Sequence, residues 1–160
     1  MSTSLPLADR LNRPIGVLRL SLTARCNLAC PYCCPDLEEP PGLLTLEQQM
    51  RVIRVATRLG VQTLRLTGGE PLLSRRLLPL LEAVAQARRD RSDPMAGLQA
   101  VALTSNGVLL SEPMARALRA AGLDRITISL DAAEGEAAAR MAGLQGGTVA
   151  GDRLVRQVQD

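Results

Sequence analysis

Residues 17–34 read VLRLSLTARCNLACPYCC, and this stretch decides the architecture. Val17–Thr23 alternates apolar and polar side chains, the period of a half-buried strand. Cys26, Cys30, Cys33 and Cys34 follow at once, within nine residues, and the chain has no other cysteine. A disulfide framework spreads its cysteines to join distant segments, so this group reads instead as a metal-binding loop set at the end of a strand.

Working outward from the loop, the same grammar repeats. Thr45 with Gln48 forms a capping-box pattern. Leu46, Met50, Ile53 and Leu59 then recur at helical spacing up to Gly60, a C-cap signal. Thr63–Thr67 (TLRLT) is a second strand, closed by Gly68-Gly69. Ser74 is expected to cap a helix to about Arg89, with Leu77, Leu78, Leu81, Val84 and Ala85 on one face. Asp90–Gly97 reads as a polar loop. Gln99–Thr104 (QAVALT) is a third strand, and Ser111 or Glu112 opens a third helix that ends at Gly122, with Pro113 tolerated in its first turn. Arg125–Leu130 (RITISL) is a fourth strand. The last thirty residues are Ala- and Gly-rich and weaker in pattern, with a helix expected near Asp152–Val158.

The order is therefore β-α-β-α-β-α-β-α, which argues an α/β fold with a parallel sheet and right-handed crossovers. Ligands in such sheets sit beyond the carboxyl ends of the strands. The unusual residues follow strand ends each time: the cysteines, Gly68-Gly69-Glu70, Thr104-Ser105-Asn106, then Ser129 and Asp131. Four polar clusters converging on one rim are stronger evidence for a site than any single motif.

Composition narrows the chemistry. The chain has 160 residues, 46% of them hydrophobic, which suits one domain with its own core rather than a disordered chain. It contains no His, Trp or Phe, and Tyr32 is its one aromatic. A His-based triad, an H-E-x-x-H zinc site and a proximal-His haem are excluded. So is an aromatic stacking platform for single-stranded nucleic acid. Lys+Arg 19 against Asp+Glu 16 gives a net charge of +3, a mild excess that suits anionic ligands without making a nucleic-acid binder. Every basic residue is Arg, the better bidentate partner for phosphate or carboxylate. Met1–Pro14 lacks a signal-peptide pattern and no apolar run approaches the ~20 residues that cross a bilayer, so the cytoplasm is the expected location, with no membrane partner.

Cys26-x3-Cys30-x2-Cys33 puts three thiolates in one short loop, and thiolates are the usual ligands of iron–sulfur clusters. Three cysteines on a four-iron cluster leave one iron open to a small molecule, as an open position separates a catalytic metal from a structural one. The plainer readings are a zinc loop or a redox pair, although zinc usually draws on two separated ligand pairs and no second pair is present. Cys34 reads as a small buried residue or a bystander thiol.

Cys26-Asn27-Leu28-Ala29-Cys30-Pro31-Tyr32-Cys33 resembles the C-x3-C-x-aromatic-C signature of radical S-adenosylmethionine (SAM) enzymes. Gly68-Gly69-Glu70-Pro71 resembles their GGEP motif. Further segments resemble the GTP 3′,8-cyclase family of molybdenum cofactor biosynthesis, from about Arg13 to Asp131: Arg13-Pro14-Ile15, Leu18–Ser21, Arg65–Leu72, Leu103–Gly107, and Ala121–Arg125 through Ser129-Leu130-Asp131.

That resemblance implies a six-unit partial TIM-type barrel, of which about four βα units are present: residues 1–15 as an arm and 16–160 as a barrel domain incomplete at its C-terminus. It implies that Cys26, Cys30 and Cys33 hold a [4Fe-4S] cluster. Tyr32, Gly69 and Ser129 would bind SAM, at its adenine, its methionine end and its carboxylate or ribose. Arg19, Arg65 and Thr104 would contact GTP. The activity implied is that of a lyase: a deoxyadenosyl radical takes a hydrogen from the GTP ribose, and the sugar carbon attacks C8 of guanine. An external electron donor is implied too, and a homodimer is allowed.

Taken one at a time, these residues have plainer roles. Arg19 and Arg65 fit sheet residues paired with carboxylates, Thr104 and Ser129 fit ordinary strand ends, Gly68-Gly69 a turn, and Tyr32 a packing residue. The family also carries further βα units, three late cysteines and a C-terminal double glycine that this sequence lacks, and Cys34 stands where the family has Met. The sequence is therefore expected to be the N-terminal part of such an enzyme. The alternatives are a non-catalytic remnant, a small metal-binding protein that keeps the loop, or another radical SAM enzyme such as a peptide-maturing one.

Overall fold

The computed structural model describes residues 7–33 and 38–159. Cys34, and with it the expectation of a buried or bystander thiol, lies outside the described residues. Four parallel strands, β1 (Val17–Ser21), β2 (Thr63–Thr67), β3 (Ala100–Ser105) and β4 (Arg125–Ile128), lie side by side in sequence order. The crossovers are carried by α1 (Leu46–Arg58), α2 (Leu77–Arg89) and α3 (Glu112–Ala120). Two further helices follow, α4 (Gly135–Ala142) and α5 (Gly147–Gln159).

The two faces of the sheet differ as strand alternation requires. Leu20, Leu64, Leu66, Val101 and Leu103 are buried in one cluster with Met50 and Ile53 of α1, Leu80, Leu81 and Val84 of α2, and Leu118 of α3. The opposite face carries Arg19, Arg65 and Thr104. Arg19 pairs in register with Arg65, and Thr104 with Thr127. One apolar face covered by crossover helices and one polar face turned inward is the layout of a parallel barrel wall.

Local chemistry sets the helix ends. Thr45 and Gln48 close a full capping box at α1, and the Ser111 hydroxyl accepts from Met114 N at α3. At α2 the structure departs from expectation. The Glu70 carboxylate accepts from Leu72 N, and Pro71–Leu73 forms a 3₁₀ turn that Ser74 closes, so the α-helix begins only at Leu77. The buried face shifts with that start: Leu80 and Ala87 are buried, whereas Leu78 is only half-buried. Asp90–Gly97 is likewise not simply a polar loop. Asp93 caps a 3₁₀ turn over Pro94–Gly97, which sinks Met95 completely into the core.

The C-terminal helices are the largest departure. Residues 135–142 carry no bulky periodic stripe, yet they form α4. Small residues are what make this possible. A Cβ on Gly151 would lie 1.6 Å from the Gly135 carbonyl oxygen, so α4 and α5 touch backbone to backbone. Ala138, Ala139 and Ala142 are buried beside Leu154 and Val155. At the other end of the chain, Leu7 N donates to Leu59 O and Ile15 N to Leu7 O, which ties residues 7–15 to the end of α1.

Candidate functional site

Each polar cluster lies where its strand ends. Leaving β1, the chain is bound to the turn after β2. Gly69 N donates to Thr23 O and Glu70 N to Arg25 O, both at 2.8 Å. A Cβ on Gly69 would come within 2.3 Å of Arg25 O, so only glycine permits this contact. The glycine pair is thus a close-approach device as well as a turn. It fixes the root of the cysteine loop.

Glu70 lies beneath this junction with no solvent exposure. A buried carboxylate is tolerated only where its oxygens are satisfied. Oε1 accepts from Ser105 Oγ (2.8 Å) and Leu72 N (2.9 Å), and Oε2 accepts from Asn106 N (2.8 Å). Asn106 in turn reaches the cysteine loop: Nδ2 donates to Asn27 Oδ1 at 2.9 Å and to Cys26 Sγ at 3.8 Å. Leu28 N is a second donor to the same sulfur, at 3.4 Å. The far side of the loop rests on α4 through Ala29 N to Ala142 O.

Cys26 and Cys30 are half-buried, Cys33 is exposed, and all three are free thiols. Burial pushes the Cys30 thiol above its ordinary range, and Asp131 and the neighbouring thiols at Cys26 and Cys33 add to the rise, while a hydrogen bond with Tyr32 opposes it. Because the thiolate is the ligating form, a metal taken up at Cys30 would displace a proton. Among the described residues no three Cys, Asp or Glu side chains gather closely enough to hold a single metal ion. A four-iron cluster poses a different demand, since each thiolate takes a different iron and the ligands stand further apart than around one ion. Three free thiols on one loop, one of them already receiving amide hydrogens, fit that group.

Tyr32 is 61% exposed, so its ring is not a core packing residue. Its hydroxyl donates to Asp131 Oδ2, and this bond to a carboxylate holds the phenol well above its ordinary pKa. Ser129 follows β4, with its N–H donated to Ser105 O. Cys30, Tyr32, Ser129 and Asp131 line one small cavity of about 60 Å3 together with Asn106. The geometry thus gathers Tyr32, Ser129 and the cysteine loop on one rim. Arg19, Arg65 and Thr104 lie on the open sheet face, where an Arg65 amino group stands 3.5 Å from Thr104 Oγ1. Among the described residues neither arginine forms an ion pair, so the carboxylate-paired reading of Arg19 and Arg65 finds no support there.

Sequence reading flagged Asn106 and Asp131 only as parts of strand-end clusters, and missed their partners. Cys26 and Asn106 are eighty positions apart, and Tyr32 and Asp131 ninety-nine, with no local signal joining them.

Residues 20–150 match the model of the radical SAM superfamily. The chain belongs to that superfamily. Within it, the chain is 97% identical over 160 residues to a GTP 3′,8-cyclase of Synechococcus sp. (strain CC9605), covering 100% of this chain and 46% of that protein. It is 70% identical over 158 residues to the GTP 3′,8-cyclase of Synechococcus sp. (strain WH7803), covering 99% of this chain and again 46% of the relative. The chain thus spans about half the length of the curated relatives it matches. Among solved structures it is similar to Streptococcus suis SuiB bound to the precursor peptide SuiA, with a TM-score of 0.63 at 20% identity, over 80% of this chain and 27% of that one. SuiB bound to S-adenosylmethionine also gives a TM-score of 0.63, at 19% identity over 86% and 30% of the two chains. These last likenesses establish the α/β fold. No helix among the described residues is long and apolar enough to cross a membrane.

Proposed function

We propose that this chain forms the SAM-binding part of a GTP 3′,8-cyclase, with residues 16–160 as an incomplete radical SAM barrel preceded by an arm of residues 1–15. The observation that carries this reading is the 97% identity along all 160 residues to an enzyme of that name. Cys26, Cys30 and Cys33 would hold a [4Fe-4S] cluster, which with SAM supplies reductive cleavage of the sulfonium to a carbon radical.

The residues around it bind and orient. The Gly69 N–H is spent on Thr23 O, so its carbonyl is the group it can offer, and a carbonyl suits the ammonium of a methionine end. Tyr32 offers an exposed ring to an adenine, and Ser129 a hydroxyl to the carboxylate or ribose. Arg19 and Arg65, which form no ion pair among the described residues, present guanidinium forks on the open face, and these suit a triphosphate, with Thr104 beside them. The transformation would convert GTP to (8S)-3′,8-cyclo-7,8-dihydroguanosine 5′-triphosphate for molybdenum cofactor biosynthesis, with electrons from an external donor in the cytoplasm.

The test joins this chain to the remaining length of the CC9605 relative and supplies iron, sulfide, SAM, GTP and dithionite anaerobically. A cyclised nucleotide separable from GTP is the expected product. Arg19→Ala or Arg65→Ala is expected to raise KM for GTP roughly 10- to 100-fold, from the loss of a charge-assisted bond of about 1.5–3 kcal/mol. SAM cleavage without any cyclised nucleotide would refute the substrate assignment.

A further inference from the structure

We propose that Asn106 is a positioning residue for the first cluster ligand, holding the Cys26 sulfur and setting the reduction potential of the cluster it would carry. The proposal rests on the cluster reading above.

The backbone N–H of Asn106 and both ends of its side-chain amide are held. Its backbone N–H is held by Glu70 Oε2, and its Oδ1 accepts from Val108 N at 3.0 Å. With the oxygen committed to a backbone N–H, the amide has one orientation, and the NH₂ end must face the loop. There it meets Asn27 Oδ1 and Cys26 Sγ. The support beneath is rigid as well, because Glu70 is fully buried and bound to Ser105 and Leu72. A chain of contacts thus runs from the turn after β2, through the end of β3, to one thiol. Among the described residues Cys26 is the one thiol that receives amide N–H groups, from Leu28 and from Asn106.

Hydrogen bonds to ligand sulfur draw charge from it and favour the more negative, reduced state of a cluster, and outer partners tune a metal site nearly as strongly as its ligands. The Leu28 N–H comes from the loop's own backbone. The Asn106 side chain is the donor that the rest of the fold contributes, and the one that mutation can remove.

The test uses this chain reconstituted anaerobically with iron and sulfide, and follows one-electron reduction by dithionite against a mediator scale. Asn106→Ala removes the donor. Asn106→Ser also removes it but keeps a short oxygen that can accept from Val108 N, so the local turn survives. Asn27→Ala removes a neighbour of the amide that does not donate to the sulfur. The expected result is an iron content equal to that of the unsubstituted chain and a midpoint shifted to more negative potential in both Asn106 variants, with no shift in Asn27→Ala. An unchanged midpoint in both Asn106 variants overturns the proposal, as does loss of the cluster in both, which would leave Asn106 with a folding role alone. Failure of the unsubstituted chain to form any cluster would instead refute the reading on which the proposal rests.

Discussion

The two ends of the cysteine loop are built differently. At the Cys26 end the loop is pinned from three sides: by the glycine turn after β2, by Asn106 over the buried Glu70, and by the Leu28 amide. At the Cys33 end the thiol is exposed, and among the described residues its supports are a single backbone turn from Cys33 N to Cys30 O and the exposed Tyr32 hydroxyl on Asp131. The pinned end was placed by folding itself, and the order of its contacts costs nothing further when a ligand arrives. The exposed end is held by contacts at the surface, where local opening costs least.

The sharpest way to break this comparison is to remove the support under the pinned end. Glu70→Ala leaves Ser105, Asn106 and Leu72 without their acceptor in a buried place, and is expected to lower stability by about 3 kcal/mol or more, read by urea unfolding. Gly69→Ala attacks the same end from the other side. Its new Cβ has no room beside Arg25 O, and a loss of roughly 1–3 kcal/mol is expected in the same assay. Comparing the ligands directly, Cys26→Ala in the metal-free chain should cost about 1 kcal/mol. Cys33→Ala should stay within about 0.5 kcal/mol of zero, as exposed substitutions do. Equal costs would erase the distinction between the two ends.

The smallest effect is one of pH. Glu39 accepts from the Thr23 hydroxyl, which with the Ala24 N–H and nearby Arg76 and Arg25 holds its carboxyl below the ordinary 4.5. A lowered folded pKa stabilises fully above the unfolded value and is lost as pH falls through the folded one. The melting temperature should therefore decline modestly below about pH 4.5, and Glu39→Gln should flatten that decline.

The fold was largely legible because strands and crossover helices carry their own periodicities. The alternation in Val17–Thr23 and Arg125–Leu130 and the capping box at Thr45 each translate into an element within a residue or two. What stayed hidden was packing by small residues. Gly135, Ala138, Ala139 and Gly151 give no apolar stripe, and their helix pair holds together by close approach of backbones. Met95 was hidden for a related reason, since one apolar side chain in a polar loop carries no period.

The site was legible in its motifs but not in its wiring. The cysteines, the glycine pair and the strand-end clusters declare themselves by type and spacing. The Glu70–Asn106–Cys26 chain joins three crossover-separated segments, and no local pattern encodes a contact across eighty residues. The same holds for Tyr32 and Asp131, whose bond closes the loop against the end of β4.

The central claim is that Cys26, Cys30 and Cys33 together hold one four-iron cluster. Iron and sulfide analysis with EPR after anaerobic reconstitution tests it most directly. The account predicts about four iron and four sulfide per chain, lost on alanine substitution of any one of the three cysteines. A chain that takes up no cluster, or one that keeps it after Cys30→Ala, would contradict it.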